Sequence, residues 1–277
     1  MKYVKYGIIV LFISSLVIYV GNWYRERTNV DTARPQIIIS ESEMQIDASV
    51  KDKESLLKGI VAKDSKNQDI TDKVIIESIS KFIDKKEHIS NVTYAVADSK
   101  GQVAKATRKV RFTDYQKPRF VLKQPLYFDT GSDVKAKDVI GATDVFDGDI
   151  SNKVKIVSRA ISTNESGDGT ITAQVTNSFG DTATLKTIVI IKRENNLSPE
   201  IKLKKNIEYI KVGEKFDAEE YVKSVADSNG KKMSNDSVRV TSSSVKTDEA
   251  GCYIVEYAAK DDQGHEGLAY LTVMVEE

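Results

Sequence analysis

Residues 251–264 read Gly-Cys-Tyr-Ile-Val-Glu-Tyr-Ala-Ala-Lys-Asp-Asp-Gln-Gly, and counting back by twos from Ala259 collects Tyr257 and Val255 on one side of the chain. The intervening Ala258 and Glu256 are small or polar, so the period is two, which is the mark of a strand with one buried face. Asp261 then stands three residues before Gly264. A short carboxylate side chain bonds backbone about two residues on, and glycine supplies the positive φ that closes such a turn. Beyond the glycine, Val273 and Val275 resume the alternation. The stretch is therefore one arm and the turn of a β-hairpin.

The same hairpin can be found twice upstream. Gly101 follows Asp98 and the inward set Val92, Tyr94 and Val96; Gly180 follows Asn177 and the set Ile171, Ala173 and Val175. The second arms end on Val110 and Phe112, and on Val189 and Ile191. Earlier landmarks repeat with nearly the same period. Pro35, Pro118 and Pro199 each open a short apolar alternation, and the turn-rich segments KDSKNQDITDKV, TDVFDGDISNKV and ADSNGKKMSNDSV end at Val74, Val154 and Val238. A repeat of about 80 residues with turn signals every ten or so reads as an all-β sandwich of seven strands or fewer. Helical turns are expected only within Ser49–Lys63 and Ala218–Val222.

Composition narrows the chemistry. The 277 residues carry 41 basic and 41 acidic side chains, two His, one Cys, one Trp and four Pro. A zero balance excludes a nucleic-acid binder, which needs clustered Lys and Arg. One cysteine excludes a disulfide framework and a multi-cysteine zinc site. His88 and His265 are the available imidazole bases, each beside a hairpin, and neither a G-x-S-x-G elbow nor an H-E-x-x-H helix occurs. The chain is accordingly read as not an enzyme and without cofactors.

The first thirty residues set an address. No charged side chain lies between Tyr6 and Tyr24, and 19 residues at ~1.5 Å rise give about 28 Å, close to a bilayer's hydrocarbon thickness. Ser14 and Ser15 can return their hydroxyls to backbone carbonyls one turn earlier. Trp23 and Tyr24 suit the headgroup zone, with Arg25 and Arg27 beyond. A cleaved signal peptide competes with this reading because Lys2 and Lys5 give a basic start, but Tyr19 occupies a position where cleavage wants a small residue. The expectation is a signal-anchor helix over 7–24 with a cytoplasmic tail at 1–6, which leaves a slightly acidic ectodomain outside. With no sorting motif at its end, the chain is expected to attach to the membrane through this helix.

The motifs P-x-I, A-x-D-x-x-D-G-D-I-x-x-x-V (Ala142–Val154), G-x-Y-x-V-x-Y-x-A-x-D-x-x-G (Gly251–Gly264) and V-x-V together resemble the bacterial immunoglobulin-like repeats of Gram-positive surface proteins, related in style to hyalin and cadherin-like repeats. The resemblance covers nearly everything after Arg34. It implies three tandem Ig-like β-sandwich domains, at 34–113, 118–192 and 199–277, acting as a non-enzymatic spacer or adhesion module with an extracellular protein or cell-envelope partner. Set in series, three such domains would reach on the order of 100 Å from the membrane. The alternative is a subunit of a cell-envelope assembly that binds partners through its sandwich edges.

Three chemical candidates remain. Asp144, Asp147 and Asp149 share one loop and form an oxygen-rich calcium candidate, set against a plain Asx-rich turn. The linkers offer only Asp114 on one side and Glu194, Asn195 and Asn196 on the other. For sugar recognition, Tyr94 and Tyr257 fall on the buried register, which leaves Tyr115, Tyr127, Tyr209 and Tyr270 as conceivable platforms. Cys252 is expected to pack as a small hydrophobe.

Overall fold

The computed structural model describes residues 2–28, 34–49, 53–193 and 197–277. An α-helix spans Lys2–Thr28, and its side chains from Leu11 to Tyr24 are exposed. Ser14 Oγ donates to the Leu11 carbonyl at 2.9 Å, the local bond expected of a serine in an apolar helix. Among the described residues no helix is long and apolar enough to cross a membrane. The side chains of Lys2, Lys5, Arg25 and Arg27, on which the orientation argument rests, lie outside the described residues, as do Glu194, Asn195 and Asn196 of the second linker.

After the helix the described residues are mostly strand and turn, and one arrangement recurs. A small sheet of two or three strands is followed along the chain by a four-stranded sheet whose centre is the terminal hairpin. In the first repeat Gln36–Ile39 pairs antiparallel with Ile60–Lys63, and the larger sheet runs Glu43–Asp47, Val103–Thr113, Ile89–Ala97, Ile75–Ile79. In the second, the small sheet holds Arg119–Leu122, Ile140–Asp144 and Gly148–Asp149, and Tyr127–Asp129 lies parallel to the last strand, Thr182–Lys192. The third repeats this with Ile207–Lys211 parallel to Glu266–Glu276. Short helical turns sit where expected, at Lys53–Leu57 and Ala218–Tyr221, and one not foreseen occupies Ala136–Val139.

The inward register read from the sequence holds throughout. Val92, Tyr94, Val96, Ile171, Ala173, Val175, Val255, Tyr257 and Ala259 are all buried, as are Val110, Phe112, Val189, Ile191, Val273 and Val275. The buried tyrosines keep their hydroxyls satisfied: Tyr94 Oη donates to the Leu56 carbonyl and Tyr257 Oη to the Ala218 carbonyl, both at 2.7 Å. Each ties a short helical turn to the central hairpin.

One outer strand of every large sheet, the one beside the first arm of the hairpin, carries the same defect. The ladder slips between Ile76 and Ser78, between Ile156 and Ser158, and between Val240 and Ser242. A bulge twists an edge away from straight pairing, so these edges are poor templates for an added strand.

By compactness the chain divides into two units, residues 1–46 with 52–112, and residues 47–51 with 113–277. The larger unit therefore contains two repeats. Within it the serial stacking expected of them is not found. Arg119, at the start of the second repeat, pairs with Glu276 at the end of the third, while Lys192, at the end of the second, meets Glu256. The two lie side by side with their chains running in opposite senses. The physical cause is apolar continuity: Ile207 belongs to the same core as Phe120, Leu122 and Val189, with Tyr209, Cys252 and Met274 packed against it.

Candidate functional site

The polar loop of the second repeat is built on two nested turns. Asp144 Oδ1 accepts from the backbone N–H groups of Phe146 and Asp147 at 2.9 and 3.0 Å, and Gly148 closes the turn at φ +72°. Asp149 accepts from the N–H and hydroxyl of Ser151 at 2.9 and 2.6 Å and so opens the 3-10 turn Ser151–Lys153. Asp147 turns to the neighbouring hairpin, where it accepts from the Ser178 N–H and hydroxyl at 2.8 and 2.6 Å and pairs with Lys153 at 2.8 Å. Burial works to raise its pKa, but these donors outweigh it and hold the carboxyl below its ordinary value.

The three carboxylates of the calcium candidate are thus each engaged by backbone and side-chain donors, Asp144 and Asp147 by the adjacent hairpin residues Asn177 and Ser178 and Asp149 by Ser151. Among the described residues no group of three or more His, Cys, Asp or Glu side chains is arranged to hold a metal ion. The same turn device appears at Asp64 and Asp227, whose carboxylates accept two backbone N–H groups each. The loop chemistry is that of a repeated fold element.

One part of this loop was not foreseen. Asn177, the hairpin residue that replaces Asp in this repeat, accepts from the Asp181 N–H at 2.9 Å and donates from Nδ2 to Asp144 Oδ2 at 3.0 Å and to Tyr115 Oη at 2.9 Å. Tyr115 stacks on Phe146 at 5.3 Å between ring centroids, and Phe146 stacks on Phe179 at 4.1 Å. Burial first, and then the Asp181 carboxylate it bonds, push the Tyr115 phenol well above its usual value. The signal in the sequence was the Asn itself, at a position where the other repeats carry Asp.

The remaining candidates resolve as follows. His265 Nδ1 lies 2.9 Å from Asp261 Oδ2, and Asp261 also accepts from the backbone of Gln263 and His265, so the histidine belongs to the turn. His88 sits at φ +51° with its ring 5.5 Å from Phe82. The sugar-platform tyrosines are not exposed faces: Tyr115 and Tyr270 are buried, and Tyr127 and Tyr209 are half-buried in the larger unit. Cys252 packs against the second repeat's core as expected; burial pushes its thiol up to about 11, against a weaker opposing bond with Thr187.

A cleft of about 660 Å³ opens where the two repeats of the larger unit diverge, lined in part by Tyr127, Lys192, Pro199, Lys202, Lys223 and Leu268. Its cations are partly committed: Lys192 to Glu256 at 3.5 Å and Lys202 to Glu200 at 3.2 Å. The strand leading into it packs without clearance, since a Cβ on Gly267 would fall 1.8 Å from the Pro199 carbonyl oxygen.

Residues 201–275 match the family described as "Bacterial surface protein, Ig-like domain". That is about a quarter of the chain, and it is the repeat whose terminal hairpin carries the fullest set of landmarks. No curated protein matches the chain. Among solved structures, the M60 catalytic domain with the CBM51-1 and CBM51-2 domains of Clostridium perfringens ZmpB aligns at 15% identity and a TM-score of 0.25, covering 89% of this chain and 31% of that one. The CBM51-2 domain in complex with GlcNAc and INT domains of the same protein aligns at 23% identity and 0.23, covering 56% and 27%. The protocadherin GammaB4 extracellular domain aligns at 10% identity and 0.21, covering 89% and 51%. This chain therefore spans about a quarter to a half of those chains, and at such TM-scores the likeness fixes neither function nor arrangement. The resemblance to bacterial Ig-like surface proteins rests on the matched repeat.

Proposed function

We propose that the chain is a membrane-anchored bacterial surface protein whose three Ig-like repeats, at 34–113, 118–192 and 199–277, form a non-enzymatic spacer or adhesion module outside the cell. The match of residues 201–275 to bacterial surface Ig-like domains carries this reading. It is supported by the recurrence of one sheet arrangement along the chain and by the commitment of the loop carboxylates to turns. For the anchor, the support is an uncharged run from Tyr6 to Tyr24 within a 27-residue helix whose described apolar side chains stand exposed. Exposed Leu, Ile and Val in such density belong against lipid or protein. The tail at 1–6 lies inside and the partner is an extracellular or cell-envelope protein.

The test is made on cells expressing the full chain. Protease added to intact cells is expected to remove the strand-rich part, and the helix is expected to stay in the membrane pellet after alkaline carbonate. Full protection from protease, or release of the intact chain by carbonate, overturns the reading.

A further inference from the structure

The strand Arg119–Leu122 is the edge of its small sheet, paired on one side only, with Ile140–Asp144. In an antiparallel pair alternate residues turn their N–H and C=O toward the partner, and those between turn them outward. Phe120 and Leu122 are the outward pair. On a bare edge their backbone groups would face water or another chain.

They do not stay open. Tyr209, from the parallel strand of the third repeat, places its hydroxyl between both groups of Phe120. It accepts from the N–H at 2.7 Å and donates to the carbonyl at 3.2 Å. Asn206 Nδ2 donates to the Leu122 carbonyl at 3.0 Å. Arg119 closes the end: its guanidinium lies 4.8 Å from the Tyr209 ring centroid and pairs with Glu276 at 2.8 Å. Burial drives the Tyr209 phenol far above its ordinary range, so the hydroxyl keeps its proton for the Phe120 carbonyl at any ordinary pH.

We propose that the third repeat is an intramolecular cap for this edge, and that the second and third repeats fold and unfold as one cooperative unit because of it. Side chains here do much of what an added strand would do: they occupy both outward groups of Phe120 and the outward carbonyl of Leu122, and so stand in the way of a foreign strand. The apolar core continuous through Ile207 and Met274 supplies the burial that holds the cap down. At the far end of the seam, Tyr270 meets Tyr127 at 5.3 Å between centroids and lies 5.8 Å below the Lys192 ammonium. The arrangement protects the straight edge of Arg119–Leu122 where it meets the third repeat.

The experiment is hydrogen exchange on the full chain in detergent micelles, followed across a denaturant series. Peptides from Gly167–Thr176 and from Gly251–Lys260 are expected to lose protection at one common denaturant concentration. Tyr209→Phe keeps the ring and removes only the hydroxyl, so exchange in the peptide containing Phe120 should accelerate about tenfold. Tyr209→Ala combined with Asn206→Ala should separate the two midpoints and produce self-association by light scattering. Separate midpoints in the unaltered protein, unchanged exchange at Phe120 in Tyr209→Phe, or coincident midpoints in the double variant would overturn the proposal.

Discussion

Seven residues after the hairpin glycine the first repeat buries Arg108 and the third buries Leu271, and seven residues before it both bury a tyrosine. In the third repeat the interior is simple. Tyr257 reaches a helical-turn carbonyl, and Leu271 packs beside it in an apolar cluster. In the first, the guanidinium joins the same bridge, donating to the carbonyls of Leu56 at 2.5 Å and Lys58 at 2.8 Å and to Tyr94 Oη at 2.8 Å. Its bonds thus go to neutral oxygens, and its Nε has no partner among the described residues. In the first repeat the buried charge is received by the carbonyls of Leu56 and Lys58, at and just beyond the electronegative C-terminal end of the turn Lys53–Leu57.

The largest expected effect tests this difference. Tyr257→Ala removes a fully buried ring and should cost about 3–5 kcal/mol, the usual range for an aromatic deleted from a core. Tyr94→Ala removes the same volume and also takes an acceptor from a buried guanidinium, so its loss should exceed that of Tyr257→Ala by about 1–3 kcal/mol. Chemical denaturation followed by hydrogen exchange of each terminal hairpin reads both. Equal losses would mean that Arg108 is indifferent to Tyr94, and the two interiors would then be energetically alike.

A second contrast lies at the hairpin turns, where Asp98 and Asp261 stand in the outer repeats and Asn177 in the middle one. All three make the same backbone closure, with Gly101, Gly180 and Gly264 at φ +76°, +83° and +87°. The amide is needed in the middle repeat because Asp144 Oδ2 faces it at 3.0 Å. Asn177→Asp would set two carboxylates together and take a donor from Tyr115. The expected loss is about 1–3 kcal/mol at neutral pH, read by chemical denaturation. A variant as stable as the parent at pH 7 would show that the substitution of Asn for Asp is incidental.

These contrasts also show how far the sequence could be read. The inward sets and the hairpin turns were legible because a period of two and an Asx-x-x-Gly turn are local physics, repeated three times. The tyrosines followed from register alone. Arg108 was only half legible: the register of Val110 and Phe112 puts it on the inward face, but a charge there makes no sense until the helical turn that receives it is known. The serial stacking of the second and third repeats failed for a related reason. Tyr209 and Asn206 look like solvent-facing polar residues of a strand start, and nothing within twenty residues of them reveals that they complete the edge at Phe120 and Leu122. The carboxylates of Asp144, Asp147 and Asp149 were read as a calcium candidate set against an Asx-rich turn, and the bonds the loop displays are those of two successive tight turns.

The smallest effect separates the turns by acid. In the third repeat, burial tends to raise the Asp261 carboxyl, but the bonds from His265 and from the backbone of His265 and Gln263 outweigh it, and the pKa lies below its ordinary value. A carboxyl lowered on folding stabilises the folded form above its unfolded pKa, and that contribution is lost as pH falls through the folded one. Protection of the His265 amide, corrected for intrinsic exchange, should therefore hold at neutral pH and decline below the ordinary carboxylate range. The matching amide in the second repeat is that of Asp181, held by the carboxamide oxygen of Asn177, which does not titrate. Its protection should stay level over the same interval, and Asp261→Asn should make the third turn behave like the second. Parallel decline of both amides would trace the acid response to the sandwich as a whole, and the turn carboxylate would lose its part in it.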